Sequence, residues 1–167
     1  MEVLLLDIAS QKLIDAELMP AKFSDMKGIT DGWDFSWKKH FNLPNSKAFK
    51  IVLKSDPRVV QGLLLFQMLG KEEPYMAYLE SAPNNKGKDK QFDFVAGCLI
   101  SRACQLSFLE GKGHYEGFLS FKCMDEKVIK VYAQKYGAIR VDTTFMFIEP
   151  RVGKQLIEEY LFRKYVN

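Results

Sequence analysis

The chain has 167 residues, with 24 Lys and Arg against 21 Asp and Glu, and its formal net charge of +3 is too small for a broad nucleic-acid-binding face. A chain of this length buries roughly two thirds of its unfolded surface, so we expect one domain over residues 1–167 that needs no metal or disulfide for stability. Glu2 stands where a signal peptide would be basic, and no apolar run approaches the roughly 20 residues that span a bilayer, so we expect a cytoplasmic protein with no membrane contact. The three cysteines lack paired spacing, so we expect free thiols.

The first half of the sequence predicts an antiparallel meander. Alternating apolar residues, or enrichment in β-branched and aromatic residues, mark four segments, which in chain order are Val3–Ile8, Lys12–Pro20, Lys47–Lys54 and Arg58–Met68. Ser55-Asp56-Pro57, between the last two segments, has strong turn chemistry and predicts a hairpin. In that hairpin the run Leu63–Phe66 is apolar at every position, which is typical of a central strand covered on both faces. Tyr75–Ala82 is the next predicted strand.

Residues 24–41, between these hairpins, predict two short helices joined by a turn. Ser24 is a candidate N-cap, and Trp33 and Trp37 are four residues apart, which is helical spacing. At that spacing the two indoles either pack against the sheet or line a binding pocket.

The second half alternates strands and helices. The predicted elements are a helix from Asp93 to about Glu110, a strand at Gly117–Cys123, a helix that Asp125 caps and Gly137 ends, one or two strands in Ala138–Ile148, and a last helix from Pro150 to about Tyr160. Each helix permits a right-handed crossover between parallel strands, whereas the first half is antiparallel. We therefore predict an α/β or α+β fold, with a single mixed, mostly antiparallel central sheet flanked by helices.

An anion site is predicted where the loop Ser81–Gln91 leads into the next helix. The first turn of a helix leaves backbone N–H groups unpaired and carries a partial positive charge, so a phosphate can bind there. Ala96 and Gly97 leave the approach uncrowded. Three lysines of the loop are either solvated or part of this site, namely Lys86, Lys88 and Lys90.

The stretch Gln91–Gly97, Gln-Phe-Asp-Phe-Val-Ala-Gly, and a second stretch from Asp125 to Ala138 resemble motifs of the GNAT superfamily of acyl-CoA-dependent N-acyltransferases, and the similarity extends over about residues 45 to 163. The family pattern (Gln/Arg)-x-x-Gly-x-(Gly/Ala) binds the CoA pyrophosphate through backbone amides. The resemblance implies that role for Gln91, Phe94, Val95, Ala96, Gly97 and Cys98. Phe94 replaces the first glycine, and phenylalanine does not easily take a glycine-only backbone conformation. We therefore expect either a rearranged loop or weakened CoA binding.

The second stretch implies the catalytic acid. Its pattern Asp125-x-x-Val128-Ile129-x-Val131-Tyr132 has Tyr132 where the family has a tyrosine that protonates the departing CoA thiolate, and a phenol with a pKa of about 10 suits that task. Without that role Tyr132 would be a half-buried helix residue that packs on the sheet. Asp125 stands where the family has asparagine, which keeps the helix cap and adds a negative charge near the cofactor.

Three further roles follow from the resemblance. Glu80, at the end of its strand, is expected to take a proton from the acceptor, directly or through water, or else to bond loop amides as a structural carboxylate. The backbone groups of Leu79 and Ser81 are expected to pair with the pantetheine arm as an added strand would. Trp33 and Trp37 are expected to wall the acceptor pocket.

The predicted function is transfer of an acetyl group from acetyl-CoA, or of another acyl group from its CoA ester, to a primary amine by direct attack. His40 and His114 have no partner at metal-ligand spacing, so no metal is expected. The expected partners are an acyl-CoA and an amine, with nucleic acid only as a tRNA acceptor, and a homodimer is compatible with the sequence. The alternative is a degenerate, non-catalytic member of the fold that serves as a CoA-binding sensor or protein-interaction module.

Overall fold

The computed structural model describes residues 1–29 and 31–164, and within them nine strands form one sheet. The strands are β1 (Glu2–Asp7), β2 (Lys12–Pro20), β3 (Ser46–Leu53), β4 (Asp56–Leu69), β5 (Glu73–Ser81), β6 (Phe92–Asp93), β7 (Leu119–Lys122), β8 (Ile139–Arg140) and β9 (Phe145–Ile148). Their order is β6-β1-β2-β3-β4-β5-β7-β9-β8. Every pairing is antiparallel except that of β5 with β7. The predicted single mixed, mostly antiparallel sheet is therefore confirmed.

Four α-helices accompany the sheet in the described residues. They are α1 (Trp37–His40), α2 (Val95–Glu110), α3 (Glu126–Tyr136) and α4 (Pro150–Leu156). Short 3₁₀ turns lie at Phe23–Gly28, Pro83–Asn85 and Gly113–Tyr115, and a π-helical segment, Ile157–Leu161, continues α4. Over residues 1–29 and 31–164, no helix combines the length and the apolar character needed to cross a membrane.

Helix boundaries follow the local cap residues in one helix and depend on tertiary pairing in another. The Asp125 side chain accepts a hydrogen bond from a first-turn amide of α3, and Gly137 ends that helix with a φ of 67°, as predicted. The prediction that α2 begins at Asp93 is wrong by two residues, because the short strand β6 pairs with β1 before the helix starts at Val95.

The sheet is covered on both faces at β4. Leu64 and Phe66 belong to the larger core, which is formed with α2 and α4, whereas Leu63 and Leu65 pack with Trp37 on the opposite face. All four β4 side chains are 0% exposed, which confirms the predicted central strand. Complete burial of each contributes roughly 1.5–3 kcal/mol to stability.

The sheet is split between β5 and β7. These parallel strands pair only at Tyr75 and Ser120. The register of β5 against β4 shifts between Met76 and Tyr78, so Ala77 is the extra residue of a β-bulge. A bulge bends its strand and increases the local twist. Beyond Tyr75, the edge of β5 that faces β7 consequently has no strand partner in the described residues.

Candidate functional site

A cavity of about 670 Å³, which we call the sheet cleft, lies in the split between β5 and β7. Its helix face consists of side chains on the α3 side of the sheet, namely Leu79, Phe121, Asp125, Val128 and Tyr132. Its loop face consists of side chains on the side of residues 31–45, namely Phe35, Leu43, Gln67, Tyr75 and Tyr78. The volume suits a small molecule or the end of a longer one. Because its two faces lie on opposite sides of the sheet, the cleft allows two ligands to meet within it.

Tyr132 is the titratable aromatic residue of the helix face. It is half-buried, and its ring centroid lies 4.6 Å from that of Phe121 and 6.0 Å from that of Tyr136. Burial and, to a lesser extent, the neighbouring Cys123 thiol raise the pKa of Tyr132. The phenol therefore keeps its proton at neutral pH, which is the state that a proton donor requires.

The Glu80 carboxylate accepts four hydrogen bonds. Oε1 accepts from the Phe35 N–H at 3.1 Å and from the Trp37 indole at 2.8 Å. Oε2 accepts from the Asp34 N–H at 2.6 Å and from Lys86 Nζ at 2.5 Å. Glu80 is only 5% exposed, and four donors fill the lone-pair sites of a carboxylate. In this arrangement Glu80 anchors the loop, and direct proton transfer to it would first displace a donor.

The loop that Glu80 anchors contains the two predicted acceptor residues, but neither lines the sheet cleft. Trp37 is 1% exposed in the smaller core, and Trp33 packs half-buried against the same core. Phe35, which lies between them, does line the cleft, with its ring centroid 5.2 Å from that of Tyr78. The aromatic segment thus reaches the cleft through a residue that the sequence analysis did not select.

Tyr75 and Tyr78 are further cleft residues that the sequence analysis did not select. They are three positions apart, so strict strand alternation would give them opposite faces. The bulge at Ala77 restores both to the loop face. The aromatic composition of this strand was the available signal, but the bulge that makes the two side chains neighbours has no recognisable sequence pattern.

At the start of α2, Phe94 has a left-handed backbone with φ 77° and ψ 0°. This is the conformation that the sequence analysis expected a phenylalanine to resist. The ring makes two contacts: its centroid lies 6.0 Å from that of Tyr160, in an edge-to-face arrangement, and 4.1 Å from the Arg163 guanidinium carbon. These contacts offset the roughly 1–2 kcal/mol that a left-handed residue with a side chain costs.

The first turn of α2 has three amides for an anion, and Cys98, which was also predicted to bind the pyrophosphate, does not contribute a fourth. The Cys98 N–H donates to the Phe94 carbonyl at 2.9 Å, because it makes the first bond of the helix. The amides of Val95, Ala96 and Gly97 precede that bond and make none of their own with other described residues. Cys98 itself is 0% exposed, and burial raises the pKa of its thiol to about 12.

The glycine of this turn is explained by packing. A Cβ added to Gly97 would collide with the ring of Tyr160, which is itself buried. Gly97 therefore allows the π-helical segment to lie against α2. From the sequence alone, the same residue was expected to leave open space for an incoming phosphate.

An acidic side chain lies directly beside the anion site. Asp93 Oδ1 accepts from the Phe94 N–H at 2.8 Å and from Lys90 Nζ at 3.0 Å, and it lies 3.8 Å from Lys135 Nζ. Burial alone would raise the pKa of Asp93, but the hydrogen bonds from Lys90 and Phe94 and the Lys135 charge outweigh burial and lower it. Two lysines beside α2 are thus already paired with an internal anion.

The other predicted cofactor residues have three different environments. Gln91 is exposed, and its side-chain oxygen accepts from Asn84 at 3.1 Å. Leu79 lines the cleft, and Ser81 pairs with β4 at the end of β5, so both lie where that strand has an open edge. Asp125 caps α3 and also lines the cleft. Of the three loop lysines, Lys86 is bound to Glu80 and away from α2.

Comparison with solved structures identifies the architecture. A variant of spermidine N-acetyltransferase SpeG from Vibrio cholerae superposes with a TM-score of 0.57 at 15% identity, covering 83% of this chain and 95% of that one. SpeG from the same organism in complex with manganese ions gives 0.57 at 16%, covering 90% and 97%. A dodecameric spermidine N-acetyltransferase of Vibrio cholerae gives 0.55 at 15%, covering 81% and 94%. The chain shares the fold of these N-acetyltransferases. No protein-family model and no curated protein matches the sequence.

The residues present fit the acyl-CoA that a GNAT fold implies. Three first-turn amides of α2 are free to bind an anion, β5 has an open edge, and the sheet cleft leads from that edge to Tyr132. Among residues 1–29 and 31–164, no group of three or more His, Cys, Asp and Glu side chains could hold a metal ion.

Proposed function

We propose that this chain is an acyl-CoA-dependent N-acyltransferase that transfers an acetyl group from acetyl-CoA to a primary amine. The observation that carries the proposal is the sheet cleft, which has a protonated tyrosine on one face and a separate aromatic approach on the other. Direct transfer requires two substrates to be held together in one place, and a cleft with an approach from each side of the sheet suits that requirement.

In this proposal the helix face receives the thioester. The amides of Val95, Ala96 and Gly97 bind the pyrophosphate, and the backbone of Leu79 and Ser81 pairs with the pantetheine amides. The amine nitrogen attacks the carbonyl carbon, the bond from carbon to sulfur breaks, and Tyr132 gives its proton to the departing thiolate.

The proton lost by the amine passes to water in the cleft. Glu80 is the alternative acceptor, but its four donors make it a positioning residue in this proposal. The deeply buried Cys98 and Cys104 take no part, since burial raises the pKa of both thiols to about 12 and no acyl-enzyme is needed.

The test is calorimetric titration of the protein with acetyl-CoA, with desulfo-CoA and ADP as controls, followed by amine-dependent thiol release. Micromolar binding together with thiol release that needs an amine is the expected result. Binding without release from any amine would favour the alternative, a CoA-binding sensor. Failure to bind any of the three ligands would overturn both.

A further inference from the structure

We infer that the acceptor is a monoamine with an aromatic or other apolar body, and that polyamines are poor acceptors. The inference rests on the proposed function and names the substrate class of the same site. It comes from the loop face of the sheet cleft, where aromatic rings are held in place and no carboxylate of the described residues lines the surface to pair with a second ammonium group.

Three aromatic rings line the loop face, those of Phe35, Tyr75 and Tyr78. The rings of Phe35 and Tyr78 meet edge to face, with centroids 5.2 Å apart and an interplanar angle of 64°. The His40 ring, which does not line the cleft, stacks on Tyr78 with centroids 4.2 Å apart and an interplanar angle of 19°. Burial is the main reason that the pKa of Tyr75 is raised, and electrostatic interactions with Tyr78 and Glu73 raise it further. This phenol therefore stays neutral. Such rings bind an aromatic body by stacking and one ammonium group by its attraction to the ring faces.

Three carboxylates near the loop face already have hydrogen-bond partners. Glu80 accepts four hydrogen bonds, and Asp34 is an exposed partner of Lys86 at 2.9 Å. Glu73 accepts from Ser120 at 3.1 Å and lines a separate cavity. A polyamine carries several positive charges at neutral pH, and each buried charge needs its own partner.

The charged residues that line the sheet cleft also disfavour a polyamine. Of the described residues that line it, one is a carboxylate, Asp125, which belongs to the helix face and caps α3. Lys122 also lines the cleft, and its positive charge would repel a second ammonium group. The charge of the cleft therefore selects against a polycation.

One polar group on the loop face suits a single amine. The Gln67 side-chain nitrogen donates to the Pro44 carbonyl at 3.0 Å, which leaves its oxygen as an acceptor for an amine N–H.

The experiment measures binding and turnover with two amines of different class. Binding of phenethylamine and of spermidine to the protein saturated with desulfo-CoA is followed by NMR line shifts, and kcat/KM is measured with acetyl-CoA. We expect phenethylamine to bind at least about tenfold more tightly than spermidine, and its kcat/KM to be higher by a similar factor. Phe35→Ala should weaken phenethylamine binding several-fold and leave desulfo-CoA binding unchanged. Phe23→Ala, which removes an exposed ring outside the cleft, should change neither.

The outcomes separate this inference from the proposed function. Equal affinities, tighter binding of spermidine, or no binding of either amine would overturn the inference. Faster acetylation of spermidine would overturn it as well, while supporting the proposed transferase. Selective binding of phenethylamine without any acetylation would support the inferred ligand class and contradict the transferase.

Discussion

At the scale of single residues, substitution of Glu80 tests whether its carboxylate anchors the loop or acts as a general base. Glu80→Gln replaces one acceptor oxygen by an NH₂ group that faces donors, so we expect the free energy of unfolding to fall by about 2–4 kcal/mol. Phe35 would lose its fixed position, and KM for the amine should rise more than kcat falls. Chemical denaturation and steady-state kinetics measure the two effects.

The matched control for Glu80 is Glu72→Gln, which changes an exposed carboxylate in the turn before β5 and should leave stability and kinetics unaltered. A base role makes the opposite prediction for Glu80→Gln, namely a large loss of kcat with stability and KM unchanged. That pattern would contradict the anchoring role. It would show instead that Glu80 accepts the proton that the amine loses.

Tyr132 provides a second test at the residue scale. Tyr132→Phe keeps the ring against Phe121 but removes the donor, so we expect kcat to fall about 100-fold while the KM for acetyl-CoA changes little. Burial raises the pKa of Tyr132, so the wild-type rate should not decline as the pH rises through 10, where an ordinary phenol would lose its proton. The measurement is a pH-rate profile of both proteins.

Tyr136→Phe is the control for this experiment, because Tyr136 lies one turn further along α3 and does not line the sheet cleft. Its kcat should match that of the wild type. If Tyr132→Phe retained full activity, Tyr132 would be no more than a packing residue, which is the other reading that its position on α3 allows.

At the scale of elements, the carboxylate of Asp93 lies beside the start of α2 and pairs with the lysines there. Asp93→Asn keeps an oxygen for the Phe94 N–H but removes the charge that pairs with Lys90 and Lys135. Both lysines would then be free to bind a pyrophosphate, so we expect acetyl-CoA and ADP to bind about fivefold more tightly, or ~1 kcal/mol. Calorimetry at low and high salt measures this, and the gain should shrink with salt.

Asp89→Asn is the matched control, since it removes an exposed carboxylate from the same loop. It should have a smaller effect on nucleotide affinity. Weaker binding by Asp93→Asn would mean that Asp93 orders the first turn of α2 for the ligand, and would contradict the competition described here.

The elements also show which structural information is local in the sequence. α3 could be predicted at both ends because Asp125 and Gly137 act within one turn of the chain. The start of α2 could not, because it depends on the pairing of β6 with β1 and on contacts from Tyr160, which is distant in sequence. The left-handed backbone of Phe94 has the same origin, since ring packing supplies what a glycine would otherwise provide.

At the scale of the whole molecule, the mixed sheet was predictable and the split in it was not. Antiparallel hairpins followed by strand-helix alternation indicate the sheet type directly. The split depends on one bulge at Ala77 and one parallel pair, Tyr75 with Ser120, and neither has a sequence signature. The helix-face residue Tyr132 was therefore identified from its motif, whereas the loop-face residues became visible only in the structure.

The open edge of β5 gives a prediction for the molecule in solution. Alternate amides of Ala77–Ser81 face away from β4, and beyond Tyr75 no strand of the described chain pairs with them. They should therefore exchange hydrogen rapidly in the free protein. An acyl-CoA that adds along this edge should slow their exchange by as much as about 100-fold at a free concentration of ~100 times Kd.

Hydrogen exchange followed by NMR with desulfo-CoA tests this residue by residue, with the amides of β2 as an internal reference because β2 lies three strands from the split. Protection confined to the first turn of α2 would show that the nucleotide end binds without the pantetheine arm entering the cleft, and the chain would then be a nucleotide-binding member of the fold without the means to present a thioester to Tyr132.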